Sequence, residues 1–518
     1  MTTRTHALRN TLFSSVGIYT EYVLGMLASI MIARHLGPGH YGVYGLFMWF
    51  VSVGIVITNA GITTGVIKFV AELRGSGRGE LVVPLVAHLR RAQLQHLLVA
   101  VGLGIVLFVS LGDRPVVHLD YAEFALLLLA IGMRAPYMFN IAIAKGFEAF
   151  DATAKVAMVV APLNLMMVIV AMLLHGPMLW FLIVYAISSL LFLLVSRTQA
   201  VRLLTSFPAG GVLPKELIRR MRRHLRLVSV TVIVGFLIAS DVEILFLSLF
   251  DSQVAAGYFK VAYQLSTGII LLVPGVFGAL LLPMMSKALS QGREVAGRRF
   301  VAATTYLVLL AVPVLVFGMC FSAPVIALLY GSSYAAAAPV FALIIFSSGI
   351  STMTQGASSL LVSADRQQTI LLLTVVFGIL KIVLDVALIY RYGLHGAVAA
   401  IVSETLLSSS AYLIIGMRVG GVRLEWNRLL RIVMAGIGAA LVSLPVFALH
   451  LRPLWTLLCG GTLVAGGYLL LTLLLLRCWN ADDIEQLQDM HQRLAGGRPR
   501  LLGQLLGWAE ARAARYPA

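Results

Sequence analysis

Long apolar runs separated by short polar turns make up most of the chain, with one exception. Taking about 20 residues for each bilayer crossing, the runs predict helical spans near residues 10–33, 42–66, 84–110, 121–144, 154–174 and 178–196. Six more follow near 227–250, 255–284, 300–320, 336–362, 368–390 and 394–417, and a last pair near 429–450 and 454–476, fourteen in all. Turn residues separate them at Gly37-Pro38-Gly39, Gly75-Ser76-Gly77, Asp113-Arg114-Pro115, His175-Gly176-Pro177 and Tyr392-Gly393. The exception is residues 197–226, where eight basic side chains stand against one acid, Glu216. Such a segment cannot enter hydrocarbon, so it predicts a cytoplasmic connector between two halves.

The halves echo each other at a nearly constant offset. Gly42, after the first span, corresponds to Gly257 after the seventh, 215 residues on. The loop Phe150-Asp151-Ala152-Thr153 corresponds to Arg366-Gln367-Gln368-Thr369 at an offset of 216, and Leu174-His175-Gly176 to Leu394-His395-Gly396 at 220. Each half has an even number of spans and starts on the same side, which predicts a parallel repeat about an axis along the membrane normal. The expected fold is an all-α polytopic membrane protein with two six-helix lobes, 1–196 and 227–417. They are joined by the connector 197–226 and followed by two extra spans in 418–477 and an amphipathic cytoplasmic tail, 478–518. Gly61 and Gly65 form a GxxxG that lets another helix approach closely.

Composition agrees: 60% of residues are hydrophobic, 12% charged, and mean hydropathy is +0.94. In a soluble chain the net charge of +17 would suggest nucleic acid, but here it reads as the positive-inside bias, and no nucleic-acid partner is expected. With a cytoplasmic N-terminus, 32 of the 39 Lys and Arg residues fall on the inner side. Five, Arg34, Arg114, Lys260, Arg391 and Arg452, fall on the outer side, so both termini are expected in the cytoplasm. The first apolar run is too long for a signal peptide and reads as an uncleaved span. Cys320, Cys459 and Cys478 match no metal or redox spacing, and no phosphate-binding or zinc-protease motif is present. The chain is therefore not expected to be an enzyme.

Ionisable residues within spans cost at least about 2.5–3.5 kcal/mol at the centre unless they face protein or water, and so mark function. Glu21, Arg134 and Glu404 lie roughly at mid-depth, and Asp241 lies past the middle of the seventh span with Glu243 beside it. Lys381 and Asp385 form an i,i+4 pair on one helix face. Arg134 stays charged and has no acid within a helical turn, so it reads as an unpaired cation that binds an anion. The bland alternatives are mutual neutralisation for Lys381 and Asp385, and buried packing bonds for Glu21 and Glu404.

Several stretches resemble the polysaccharide-transporter branch of the multidrug/oligosaccharidyl-lipid/polysaccharide exporter superfamily, the Wzx-type oligosaccharide flippases. They are ARHLGPGHYGVYGL after the first span, NAGITTGVIKFVAE closing the second, SDVEILFLSLF and AAGYFKVAYQL at the seventh and eighth, VIALLYGSSYAAAAPVF before the tenth and RYGLHGAVAAIVSE between the eleventh and twelfth. The resemblance runs from residue 1 to about 477. It implies a bacterial inner-membrane carrier that moves an undecaprenyl-diphosphate-linked oligosaccharide to the outer leaflet by alternating access, in contact with membrane lipids and with a polymerase and glycosyltransferases. On depth and charge, Arg134 and Lys381 are the candidates for the diphosphate. Glu21, Asp241, Asp385 and Glu404 are the cavity acids, with H+ or Na+ coupling left open and no cofactor expected. Rival readings are a drug/cation antiporter of the same superfamily, a lipid II flippase, and a membrane scaffold for glycosyltransferases.

Overall fold

Backbone polar groups inside a bilayer find no water, so a chain this apolar must satisfy them within helices. The computed structural model describes residues 2–111, 120–208, 211–239, 241–272, 275–475, 478–479 and 507, and these are helical almost throughout, with no strand. Among the described residues, ten helical stretches are long and apolar enough to cross a membrane. Two of them, Tyr19–Asn59 and Gln367–Gly420, run for 41 and 54 residues, each the length of two crossings. Both bend at a glycine: Gly37 (φ 73°, ψ 170°) and Gly393 (φ 53°, ψ −131°) adopt backbone angles that a side chain would resist. The turn around Arg114 and the amphipathic tail from Asn480 lie outside the described residues.

The chain divides into two compact units. The first comprises residues 1–260 and 385–397. It contains α1 (Thr2–Asn59), α2 (Ile62–Gly75), α3 (Val82–Leu111), α4 (Tyr121–Gly146), α5 (Phe150–Leu173), α6 (Met178–Leu204), α7 (Lys215–Ala239), α8 (Val242–Phe250) and the start of α9 (Gln253–Leu272). Helix α1 packs along α5, and α4 along α6. Small residues permit these crossings: a Cβ on Gly17 of α1 would come within 2.8 Å of the Ala154 Cα of α5. At the end that carries the basic segment, Val66, Phe69, Leu85, Phe139, Ile143 and Met221 form a buried core beneath the polar turns.

The second unit comprises residues 261–384 and 398–518. It contains α10 (Gly275–Ser290), α11 (Arg293–Cys320), α12 (Ser322–Leu329), α13 (Ala337–Met353), α14 (Gln355–Ser363), most of α15 (Gln367–Gly420), α16 (Trp426–Ser443) and α17 (Pro453–Leu470). Helix α11 is its axis, packed by α10, α13 and α16. Arg293 donates to the carbonyls of Arg418 (2.6 Å) and Val419 (2.8 Å), capping the C-terminal end of α15 with positive charge. The Tyr468 hydroxyl, with few partners in an apolar interior, donates to the Leu309 carbonyl at 2.9 Å.

Among the described residues, three predicted spans are interrupted: 42–66 at Ala60-Gly61, 227–250 at Asp241 and 336–362 at Thr354. Hydropathy averages over such breaks, because a glycine or a Ser-Asp pair barely lowers the mean of a 20-residue window. Tyr41 and Tyr44 are buried at 1% and 9% exposure, and the Tyr41 hydroxyl pairs with Ser29 Oγ at 2.6 Å.

Candidate transport site

Arg134 of α4 has a partner that its own helix does not supply. Its Nη2 donates to Glu21 Oε1 of α1 at 3.3 Å, so two separately predicted site residues form one ion pair. The expectation of an unpaired cation is thereby corrected: the acid lies 113 residues away, beyond any helical-turn rule. The guanidinium sits 4.7 Å from the Tyr137 ring centroid and 4.2 Å from that of Phe192. Two aromatic faces thus stabilise the charge that dehydration penalises. The Tyr137 hydroxyl also reaches Glu21 Oε1 at 3.5 Å. Arg134 is the more enclosed member, its side chain 19% exposed against 40% for Glu21, so the carboxylate faces the open side.

Asp241 stands in the break between α7 and α8, and its carboxylate accepts from Lys260 Nζ of α9. Lys260 lies in the second turn of α9, inside the predicted span 255–284, with its stem against Gly45. Its side chain and that of Asp241 are each only 19% exposed. Glu243, two residues beyond Asp241, is buried at 1%. Asp385, which belongs to the same unit, is fully buried. Lys381 and Glu404 are partly buried on α15 and belong to the second unit.

The two glycines predicted as repeat equivalents meet. A Cβ on Gly42 would strike the Gln253 carbonyl, and one on Gly257 would strike the Pro38 carbonyl, so the bend of α1 and the first turn of α9 touch backbone to backbone. Beside this contact Asp251 Oδ2 accepts from the Leu394 backbone N–H at 2.9 Å, at the bend of α15.

At the basic end, α7 lies on α2. Leu225 and Ser229 cover the Gly61-Gly65 groove, as the GxxxG predicts, and Ser229 Oγ donates to the Ala60 carbonyl that the helix break leaves open. Arg220 bonds Glu72, and His224 Nδ1 lies 3.4 Å from Lys68 Nζ. Sequence reasoning missed a buried polar chain behind this contact. Arg90 donates to Asn140 Oδ1 (2.6 Å), Asn140 to Ser196 Oγ (3.1 Å), and Gln93 to Asn59 Oδ1 (2.6 Å) and the Ala135 carbonyl (2.9 Å). The only available signal was three amides and an arginine in runs otherwise apolar. No group of His, Cys, Asp and Glu among the described residues could hold a metal ion.

These features define a multi-pass helical membrane protein with charged pairs set inside its helix bundle. Over residues 7–289 the sequence matches the family described as polysaccharide biosynthesis protein, and the chain belongs to that family. No curated protein matches it significantly. Among solved structures the fold is similar to the lipid II flippase MurJ in an inward closed conformation, with a TM-score of 0.71 at 12% identity, covering 90% of this chain and 99% of that one. It is also similar to an inward-facing multidrug resistance MATE family transporter of the MOP superfamily, with a TM-score of 0.60 at 16% identity, covering 79% and 98%. A Vibrio cholerae MATE transporter, VcmN, gives a TM-score of 0.50 at 14% identity, covering 80% and 96%. The fold is thus that of membrane transporters and flippases.

Proposed function

We propose that this protein is a flippase that carries an undecaprenyl-diphosphate-linked oligosaccharide from the cytoplasmic to the outer leaflet of a bacterial inner membrane, supplying surface polysaccharide assembly. Family membership supports the pathway, and the Glu21–Arg134 pair is the observation in the structure that carries the chemistry. A diphosphate must cross a region of low dielectric, where a fixed guanidinium between two aromatic rings is a strong anion partner. Glu21 holds that guanidinium while no substrate is present. A diphosphate oxygen takes the place of the carboxylate, and protonation of Glu21 as it leaves couples the exchange to protons.

In this reading the chain makes fourteen crossings in two lobes with both termini in the cytoplasm. The basic segment 197–226 lies on the cytoplasmic face, and Lys381 supplies a second cation from the other lobe. The α2–α7 contact is the inner closure and the Gly42–Gly257 contact the outer one, and alternating access opens each in turn. A polymerase and glycosyltransferases act on either side of the step. Depletion of the protein in its host, followed by mass spectrometry of extracted lipids, tests the proposal. Accumulation of one intact lipid-linked repeat unit with loss of its surface polymer is expected. Unchanged lipids together with heightened drug sensitivity would instead indicate a drug antiporter.

A further inference from the structure

A cavity of about 770 Å³ opens at the basic end of the first unit, walled by α3, α7 and the break between α1 and α2. It is separate from the Glu21–Arg134 and Asp241–Lys260 pairs, and its two ends differ in chemistry. One end carries Arg91, Arg222 and Arg226 with His88, and the lining contains no Asp or Glu. None of the three arginines forms an ion pair among the described residues. His96, whose Nδ1 is buried without a hydrogen-bond partner, also lines the cavity. Helix α2 also begins on this wall at Ile62, and no side chain caps its first turn, so its free N–H groups add to the positive field.

The other end is apolar. Val99, Val230 and Ile233 line it, and Val99 and Val230 are 65% and 63% exposed, as is the neighbouring Leu98 at 72%. From Arg91 to Val99 along α3 is about 12 Å, and from Arg226 to Ile233 along α7 about 10 Å, at the helical rise of 1.5 Å per residue. A soluble anion has no use for the apolar half, and a neutral lipid none for the cationic half. We propose that this cavity is a binding site for the phosphate headgroup of a membrane lipid, held by Arg91, Arg222 and Arg226, with its first hydrocarbon segment lying along Val99, Val230 and Ile233. The site does not depend on which molecule the chain transports. Its phosphate comes either from a polyprenyl diphosphate waiting to be carried or from an anionic phospholipid of the same leaflet.

Native mass spectrometry of the purified full chain distinguishes these sources, with undecaprenyl diphosphate, phosphatidylglycerol, phosphatidylcholine and inorganic pyrophosphate as separate probes. Lipid adducts should fall about tenfold in an Arg91→Ala, Arg222→Ala, Arg226→Ala triple variant and recover in the corresponding triple Lys variant, since the Lys variant restores the charge. Val230→Trp, which fills the apolar half and leaves every cation in place, should displace the lipids as well and covers the case in which the triple Ala variant fails to fold. Preference for undecaprenyl diphosphate makes the site a waiting position for cargo, and equal binding of phosphatidylglycerol makes it a general anionic-lipid site. Binding of pyrophosphate as tight as that of the lipids, equal adducts with phosphatidylcholine, or undiminished adducts in a folded triple Ala or Val230→Trp variant would overturn the proposal.

Discussion

Gly42 and Gly257 touch through their backbones: each stands where the other segment's carbonyl, that of Gln253 or Pro38, occupies the place of a side chain. The bend of α1 and the start of α9 can close on each other only because both positions lack a Cβ. Gly257→Val is therefore expected to hold this contact open at a cost of about 1–3 kcal/mol, the usual penalty of forced overpacking. Thermal unfolding and surface-polymer output should both fall. Gly39→Ala is the control, since its Cβ would meet only Val254 at an ordinary 3.6 Å, and it should leave both unchanged.

Exchange at the Glu21–Arg134 pair predicts opposite effects from two variants. Glu21→Gln keeps a hydrogen-bonding group of the same shape but releases the guanidinium from its counter-charge, so diphosphate-lipid affinity should rise while the dependence of transport on a proton gradient is lost. Arg134→Ala should abolish transport without loss of membrane insertion. Arg134→Lys retains charge but stacks less well on Tyr137 and Phe192, and should retain only a fraction of the activity. Transport in liposomes with and without an imposed pH difference reads all three.

The Asp241–Lys260 pair is enclosed on both sides, so removing one member leaves the other uncompensated. Asp241→Leu or Lys260→Met alone is expected to cost about 3–5 kcal/mol, and the double variant less than either single one. Comparing the thermal stability of the two single variants with that of the double variant checks the order. A double variant at least as damaged as the worse single one would show that the two side chains act separately.

Cys478 offers a pH test. Burial pushes its thiol up to about 11, against the opposing pull of Arg428 and Arg431. At neutral pH almost none is thiolate, and alkylation should be slow, rising about tenfold per pH unit until that value is approached. Iodoacetamide labelling followed by peptide mass spectrometry measures the profile. Arg428 is one of the two charges that favour the thiolate, so Arg428→Ala should move the profile to higher pH and slow labelling at any given pH.

Helices and membrane class were legible in the sequence, because apolar run length and turn residues are local signals. The Gly61-Gly65 groove was legible for the same reason. What could not be read was who meets whom. Glu21 and Arg134 were each marked by depth, yet their pairing depends on α1 packing against α4, and no spacing encodes that. The Asp241–Lys260 pair was hidden in the same way, since its members stand 19 residues apart, one in a helix break and the other on α9. The Arg90–Asn140–Ser196 chain was hidden because single polar residues scarcely change mean hydropathy.

The most direct test of the account is a reconstituted flipping assay. Purified protein is placed in vesicles with a fluorescent undecaprenyl-diphosphate oligosaccharide in one leaflet, and the fraction reaching the other leaflet is followed with time. Wild-type protein should move the lipid well above the protein-free rate, and folded Arg134→Ala should not. Movement at the protein-free rate by wild type under every ion gradient, or wild-type movement by Arg134→Ala, would contradict the account.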